Sequence, residues 1–240
     1  MKADLMLVHG LYACSDSNRD APDSAARAKA IAEHGEALGV CDYEWVNGRG
    51  RRLANRFLRF VRGTANPVDA VEIIGLNKAA MRASLAAEST RALWQQTLSC
   101  APYGLDPARS FLLIGAPRQQ IDGPTRGQRL LWFGRGLNQL TEKEFIEHYT
   151  NHHGPLVASY AKPLGLRCYR QVPDEQSELC DRLRDLELGQ ANAPPVFAEL
   201  SMGTPPINPS SLRMRRIANR EIAADEKRHI DFSRSMLLLV

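Results

Sequence analysis

Short apolar runs alternate along the chain with longer stretches in which apolar residues recur at helical spacing, the pattern of an α+β protein. In the first half, residues 4–9 read as a strand and the Ala-rich residues 20–35 as a helix, with Asp23 or Ser24 near its start and Gly39 as its stop. Residues 40–46 read as a strand carrying Tyr43 and Trp45 on one face, 68–76 as a third strand, 78–99 as a helix and 111–114 as a buried strand ending at Gly115. Residues 116–127, with two prolines and two glycines, read as a connection. The second half repeats the rhythm: strand 130–134, a helix after Thr141, strand 166–172, helix 175–188, strand 196–202, a loop at 205–209, helix 210–225 and strand 236–240. Thr141 and Glu144 form a capping box, and Phe145, Ile146 and Tyr149 make the apolar stripe of the helix that follows. Pro155 interrupts or kinks that helix.

The rhythm points to an internal repeat. A shift of 126 residues lays Leu5, Leu7, Gly10 and Leu11 on Leu131, Phe133, Gly136 and Leu137, and lays Tyr43 and Val46 on Tyr169 and Val172. A shift of 125 lays LDPARSFLLI on IDFSRSMLLL, and a shift of 127 lays Val71–Ile73 on Ala198–Leu200. Each half therefore reads β-α-β-β-α-β, the ferredoxin-like order. The expected fold is α+β: two such repeats, at 1–117 and 128–240 with a linker at 118–127, forming an intramolecular pseudo-dimeric α/β barrel. In that arrangement any oligomer uses outer helices or loops and not the sheet faces.

The second half resembles the EthD family of the dimeric α/β-barrel superfamily. The resemblance is carried by residues 130–136, by TEKEF, HHGPLV and GLRCYRQV, and by the late IDFSRS. It covers roughly residues 128–240. Family members usually pair two small subunits, so the first half resembles a fused, diverged partner. There the same shift places Arg27 against His153 and Ala28 against Gly154, which implies a single site in the second half. The resemblance implies cofactor-independent proton chemistry, of lyase or isomerase type, on a small hydrophobic or aromatic molecule: dehydration, decarboxylation, cyclisation or isomerisation. A non-catalytic small-molecule binding or protective protein with the same pocket is the alternative.

Composition adds bounds. The chain has 240 residues, 44% of them apolar and 24% charged, as in a globular protein with a sizeable core. No apolar run reaches membrane-spanning length, and the first residues read as a strand and not a signal peptide. The net charge of +4 is scattered except in residues 49–63, RGRRLANRFLRFVRG. Such a run reads as a solvated loop or helix face before a phosphate-binding surface, so neither nucleic acid nor membrane is expected as a partner. Five cysteines without CxxC spacing point to reduced thiols and a cytoplasmic setting.

The candidate chemistry centres on His153. Imidazole titrates near neutrality and can take and return a proton in one cycle; adjacent helical residues point about 100° apart, so His152 and His153 cannot face one pocket equally, and the resemblance favours His153, the one directly before Gly-Pro. His153 as a helix-end hydrogen-bonding group is the structural alternative. Arg135, Tyr149 and His153 form the expected catalytic set, with His152, Tyr169, Phe133 and Asp231 as substrate-binding candidates. Arg135 either holds a carboxylate or enolate oxygen or makes a rim salt bridge, with Glu199 as a candidate partner. Tyr169 has a counterpart in Tyr43 and Asp231 one in Asp106, which favours structural roles for both. Glu144, His148 and His152 share four-residue spacing but lack a further ligand cluster, and nothing selects haem, so no metal and no cofactor is expected.

Overall fold

The computed structural model describes residues 3–13, 24–47, 51–66, 68–100, 103–125, 127–186, 188–189 and 191–240. Its first elements are β1 (Leu5–Leu11), α1 (Ser24–Leu38), β2 (Val40–Asn47), α2 (Arg52–Arg62), β3 (Ala70–Leu76), α3 (Lys78–Ala86), α4 (Glu88–Leu98), β4 (Phe111–Gly115) and β5 (Arg118–Ile121). There follow β6 (Gln128–Gly134), α5 (Glu142–His148), a π-helical turn (Tyr149–His153), α6 (Gly154–Ser159), α7 (Ala161–Leu164) and β7 (Leu166–Pro173). The last are α8 (Glu178–Arg184), β8 (Val196–Met202), α9 (Pro209–His229), a 3₁₀ turn (Phe232–Arg234) and β9 (Met236–Leu239). The expected helix start at 20–23, Cys14, and residues 49, 50 and 126 lie outside the described residues. Cys41, Cys100, Cys168 and Cys180 are free thiols.

The chain divides into two compact units. One comprises Met1–Arg49, Val68–Ala116 and Asp174–Ala193; the other comprises Gly50–Pro67, Pro117–Pro173 and Pro194–Val240. In the first unit the sheet order is β2-β3-β1-β4, with every neighbouring pair antiparallel. This is the ferredoxin-like order. Leu5, Leu7, Ile74, Leu76, Leu112 and Ile114 turn toward Ile31 and Leu38 of α1, Met81 of α3 and Trp94 of α4, and α8 adds Leu179 and Leu183 to the same core. The helix expected over 78–99 breaks at Ala87, whose backbone is extended (φ −96°, ψ 127°). The break lets Trp94 turn fully inward while its indole N–H donates to Ser84 Oγ at 2.9 Å.

A buried ionic group crosses this core. Arg27, fully buried in α1, donates to both carboxylate oxygens of Glu72, at 2.8 and 2.7 Å, and to the carbonyls of Ser99 (2.6 Å) and Leu98 (3.0 Å). His9 Nδ1 stands 3.3 Å from the same carboxylate. Burial pushes the Glu72 carboxyl up, but the guanidinium outweighs it and holds the group at about 2. Burial keeps His9 below its ordinary value.

In the second unit the sheet order is β5-β7-β8-β6-β9, again antiparallel throughout: the ferredoxin-like order with β5 added outside β7. β5 lies within the stretch read from sequence as a connection. The basic stretch is helix α2, which Asn55 docks on the edge strand by donating to Leu239 O (3.1 Å) and accepting from Leu239 N (2.6 Å). This satisfies part of an edge that would otherwise lack partners. The Thr141 capping box forms, with the Glu144 amide donating to Thr141 Oγ1 at 3.2 Å and the Thr141 amide donating to Glu144 at 2.8 Å. Pro155 does not stop the helix. Lacking an N–H, it cannot continue the α-helical ladder, and the chain passes through the π turn with helical backbone at both His148 and His153 (φ −61° each). Gly154 lets this helix settle on the sheet: a Cβ there would stand 2.6 Å from Gln120 Nε2 and 2.7 Å from Gln171 Oε1.

The faces of the two sheets correct part of the repeat alignment. Leu5 and Leu7 face the helices of their unit. In β6 the helix-facing residues are Leu130 and Trp132, so by strand alternation Leu131 and Phe133 point to the opposite face. The shift of 126 is therefore out of phase by one residue for β1. The shift of 127 fails in the same way, since Glu72 joins Arg27 of α1 whereas Glu199 pairs with Leu131 on the far face. Tyr43 and Tyr169 both pack toward helices, as do Leu112 and Leu237, so the matches there keep phase.

Candidate functional site

Between the helices and the sheet of the second unit lies a cavity of about 230 Å³. Its walls are largely apolar, with Leu130, Val157, Leu166, Leu200, Phe232 and Leu237 among them, and it receives Tyr149, His153, Tyr169 and Trp132. Arg62 and Glu226, ion-paired at 3.0 Å, also line it. Apolar walls of this kind strengthen the polar contacts made beside them.

The π turn orients the reactive side chains. Tyr149 and His153, one turn apart, stack with ring centroids 4.8 Å apart at 27°. Both are buried, whereas His152 is exposed and stacks on His148 at 5.4 Å. His153 Nδ1 lies 2.9 Å from Asp225 Oδ2. A carboxylate accepts, so Nδ1 carries the proton, and Nε2 is left to exchange one. Burial pushes the Asp225 carboxyl up, but the bond from His153 and the nearby His148 prevail and hold it at about 2.

The tyrosines form a second chain. Gln171 Nε2 donates to the Tyr169 hydroxyl at 2.6 Å and to the Tyr149 carbonyl at 3.0 Å. Burial, with the neighbouring Tyr169, raises Tyr149 well above its ordinary value. Since Gln171 donates to the Tyr169 oxygen, the Tyr169 proton is left to offer to an acceptor. Burial raises Tyr169 as well, so it remains a neutral donor. Trp132 Nε1 is buried with no hydrogen-bond partner and lies beside Gly134, where an added Cβ would stand 2.8 Å from it.

Thus His153, Tyr149 and Tyr169 meet at one cavity. The remaining sequence candidates lie elsewhere. Phe133 points to the other face of β6, against Phe197 at 5.1 Å, because strand parity separates it from Trp132. Arg135 follows the end of β6 and lines a different cleft of about 250 Å³ together with Arg234 and Glu142; burial and Arg234 lower its basicity. Glu199 is engaged by Arg129 and Arg170. Asp231 organises the turn before β9: its carboxylate accepts from Ser233 Oγ at 2.6 Å and its carbonyl from Ser235 N at 3.0 Å.

Asp225 and Trp132 were not singled out from sequence. Asp225 offers a faint signal, since Asp225 and His229 stand four apart in a helix expected to end at 225. In the structure α9 runs on to His229. There His148, Asp225 and His229 present ligand-type atoms within 4.8 Å of one another.

No family model matches the sequence, and no curated protein sequence matches it. A solved structure described as that of a candidate chlorite dismutase aligns with 98% of this chain and 94% of its own, at 10% identity and a TM-score of 0.42. Among the described residues no helix is long and apolar enough to cross a membrane. What the chain itself establishes is an α+β protein with two antiparallel sheets in ferredoxin-like order.

Proposed function

We propose that the helix-side cavity of the second unit is the active site of a cofactor-independent enzyme of EthD type. It moves protons on a small hydrophobic or aromatic molecule. The observation that carries this reading is the 2.9 Å Asp225–His153 bond at the wall of an apolar cavity. Asp225 fixes the imidazole tautomer and stabilises the imidazolium that forms when Nε2 accepts a proton. Tyr169 O–H stands ready to hold the oxygen on which negative charge develops. The proton then returns to the product from the imidazolium, closing the cycle without an external acid. A cavity of ~150 Å³ accepts benzene, so about 230 Å³ suits one substituted ring.

The wider reading attached to this site is that the stretches 1–117 and 128–240 are diverged ferredoxin-like repeats of an intramolecular pseudo-dimeric α/β barrel, working as a cytoplasmic monomer or as a homodimer through outer surfaces. The shared strand order supports it, and the phase mismatches at β1 and β3 count against a simple residue-by-residue duplication. A folded monomer in light scattering would agree with it; a dimer interface built from open sheet faces would overturn it.

The enzyme reading is tested by incubating the protein with aromatic ketones and β-keto acids in deuterated water and following C–H exchange and carbon dioxide release. Exchange that depends on His153 and Asp225 supports it. Saturable binding without exchange or turnover replaces it with the binding-protein reading.

A further inference from the structure

Asp225 faces two ways. Its Oδ2 accepts from His153, while its Oδ1 lies 2.9 Å from His148 Nε2 and 3.6 Å from His229 Nδ1. We propose that His148, Asp225 and His229 form a binding site for a divalent transition-metal ion of the zinc type. Two imidazoles and a carboxylate are the donor set such ions take, leaving a further position for water or another ligand.

The geometry fits that use. With bonds of ~2.0–2.2 Å, donors around a tetrahedral ion stand roughly 3.3–3.6 Å apart, and the two separations from Oδ1 approach and reach that spacing. The ligands come from two helices: Asp225 and His229 lie one turn apart on α9, and His148 ends α5 just before the π turn. The His148 and His229 rings lie nearly parallel, 3.3 Å apart at 12°, and both reach the same carboxylate oxygen. His229 Nδ1 also stands 3.0 Å from the Asp225 carbonyl, a bond that metal binding through Nδ1 would exchange for the ion. The three side chains are 19%, 10% and 23% exposed, shielded yet open to ions from solvent. His153 on the other carboxylate oxygen supplies the outer hydrogen bond that orients a ligating carboxylate. His148 and His229 are not among the residues lining the cavity, so this inference and the proton-transfer reading fail separately.

The test uses the full chain, dialysed against chelator and titrated with Zn²⁺ alone in competition with a chromophoric chelator, then with Co²⁺ by visible absorption. One ion per chain is expected. His148→Ala and His229→Ala should each weaken binding by ~10-fold or more, with His152→Ala close to the unchanged protein. Circular dichroism checks folding; if an alanine variant unfolds, His148→Gln and His229→Gln take its place. Absence of saturable Zn²⁺ uptake, or equal affinity in a folded His148/His229 double variant, overturns the site and leaves the stacked histidines as a contact between α5 and α9.

Discussion

Replacing Arg27 with Met tests how the first unit is held together. The change keeps most of the stem that packs in the core and removes the guanidinium. Glu72 is then left fully buried with His9 as its remaining close partner, and the Leu98 and Ser99 carbonyls lose their donor. Glu72 is held at about 2 against an ordinary 4.5, which by linkage is worth on the order of 3 kcal/mol. The two abandoned carbonyls add ~1 kcal/mol each, and broken buried ion pairs cost ~3–5 kcal/mol. A loss of about 4 kcal/mol at pH 7 is therefore expected. The sign with pH follows from the depressed carboxyl: its contribution is complete above the unfolded value and disappears as pH falls from 4.5 toward about 2. Urea unfolding followed by tryptophan fluorescence, from neutral pH down to about 2.5, should show the gap between the two proteins narrowing on acidification. The double variant Arg27→Met/Glu72→Leu should recover much of the loss, since apolar groups of similar volume replace buried ions well. A single-variant cost under about 1 kcal/mol, or a double variant no more stable than the single, would refute the reasoning.

Other expectations concern the second unit. His153→Ala should lower turnover by ~10²-fold or more. It should also cost ~1–3 kcal/mol in denaturant unfolding, because His153 is buried and pairs with Asp225 and is not a freely exposed surface group; full turnover in the variant would remove His153 from the chemistry. Tyr169→Phe should reduce kcat more than it changes KM, by roughly 10- to 100-fold, if its proton meets charge that develops during reaction; an effect on KM alone would make it a binding group. Gly154→Ala should destabilise by ~1–3 kcal/mol, since the added Cβ meets Gln120 and Gln171, and an unchanged melting temperature would contradict that packing. Thr141→Ala should cost ~1 kcal/mol by opening the capping box, read as a small drop in the urea midpoint.

What the sequence alone determined is local. Helical spacing and short apolar runs mark the elements of both units, and Thr141 and Glu144 mark a helix start, because caps and periodicity depend on neighbours a few residues apart. The meeting of Tyr149 with His153 was also legible, being one helical turn. Which face of a strand meets the helices was not. Leu130–Phe133 is apolar at four successive positions, so alternation carries no sign, and packing on the sheet's helix side selected Trp132 over Phe133 for the cavity. Residues 78–99 read as one helix by propensity, yet the demand of the buried Trp94 indole for Ser84 goes with a break at Ala87. Asp225 lies 72 residues from His153; no local rule pairs them. Only the packing of α9 beside the π turn brings the carboxylate to the imidazole. Contacts across that separation are set by how elements share a core, and the tertiary structure alone decided which carboxylate His153 would find.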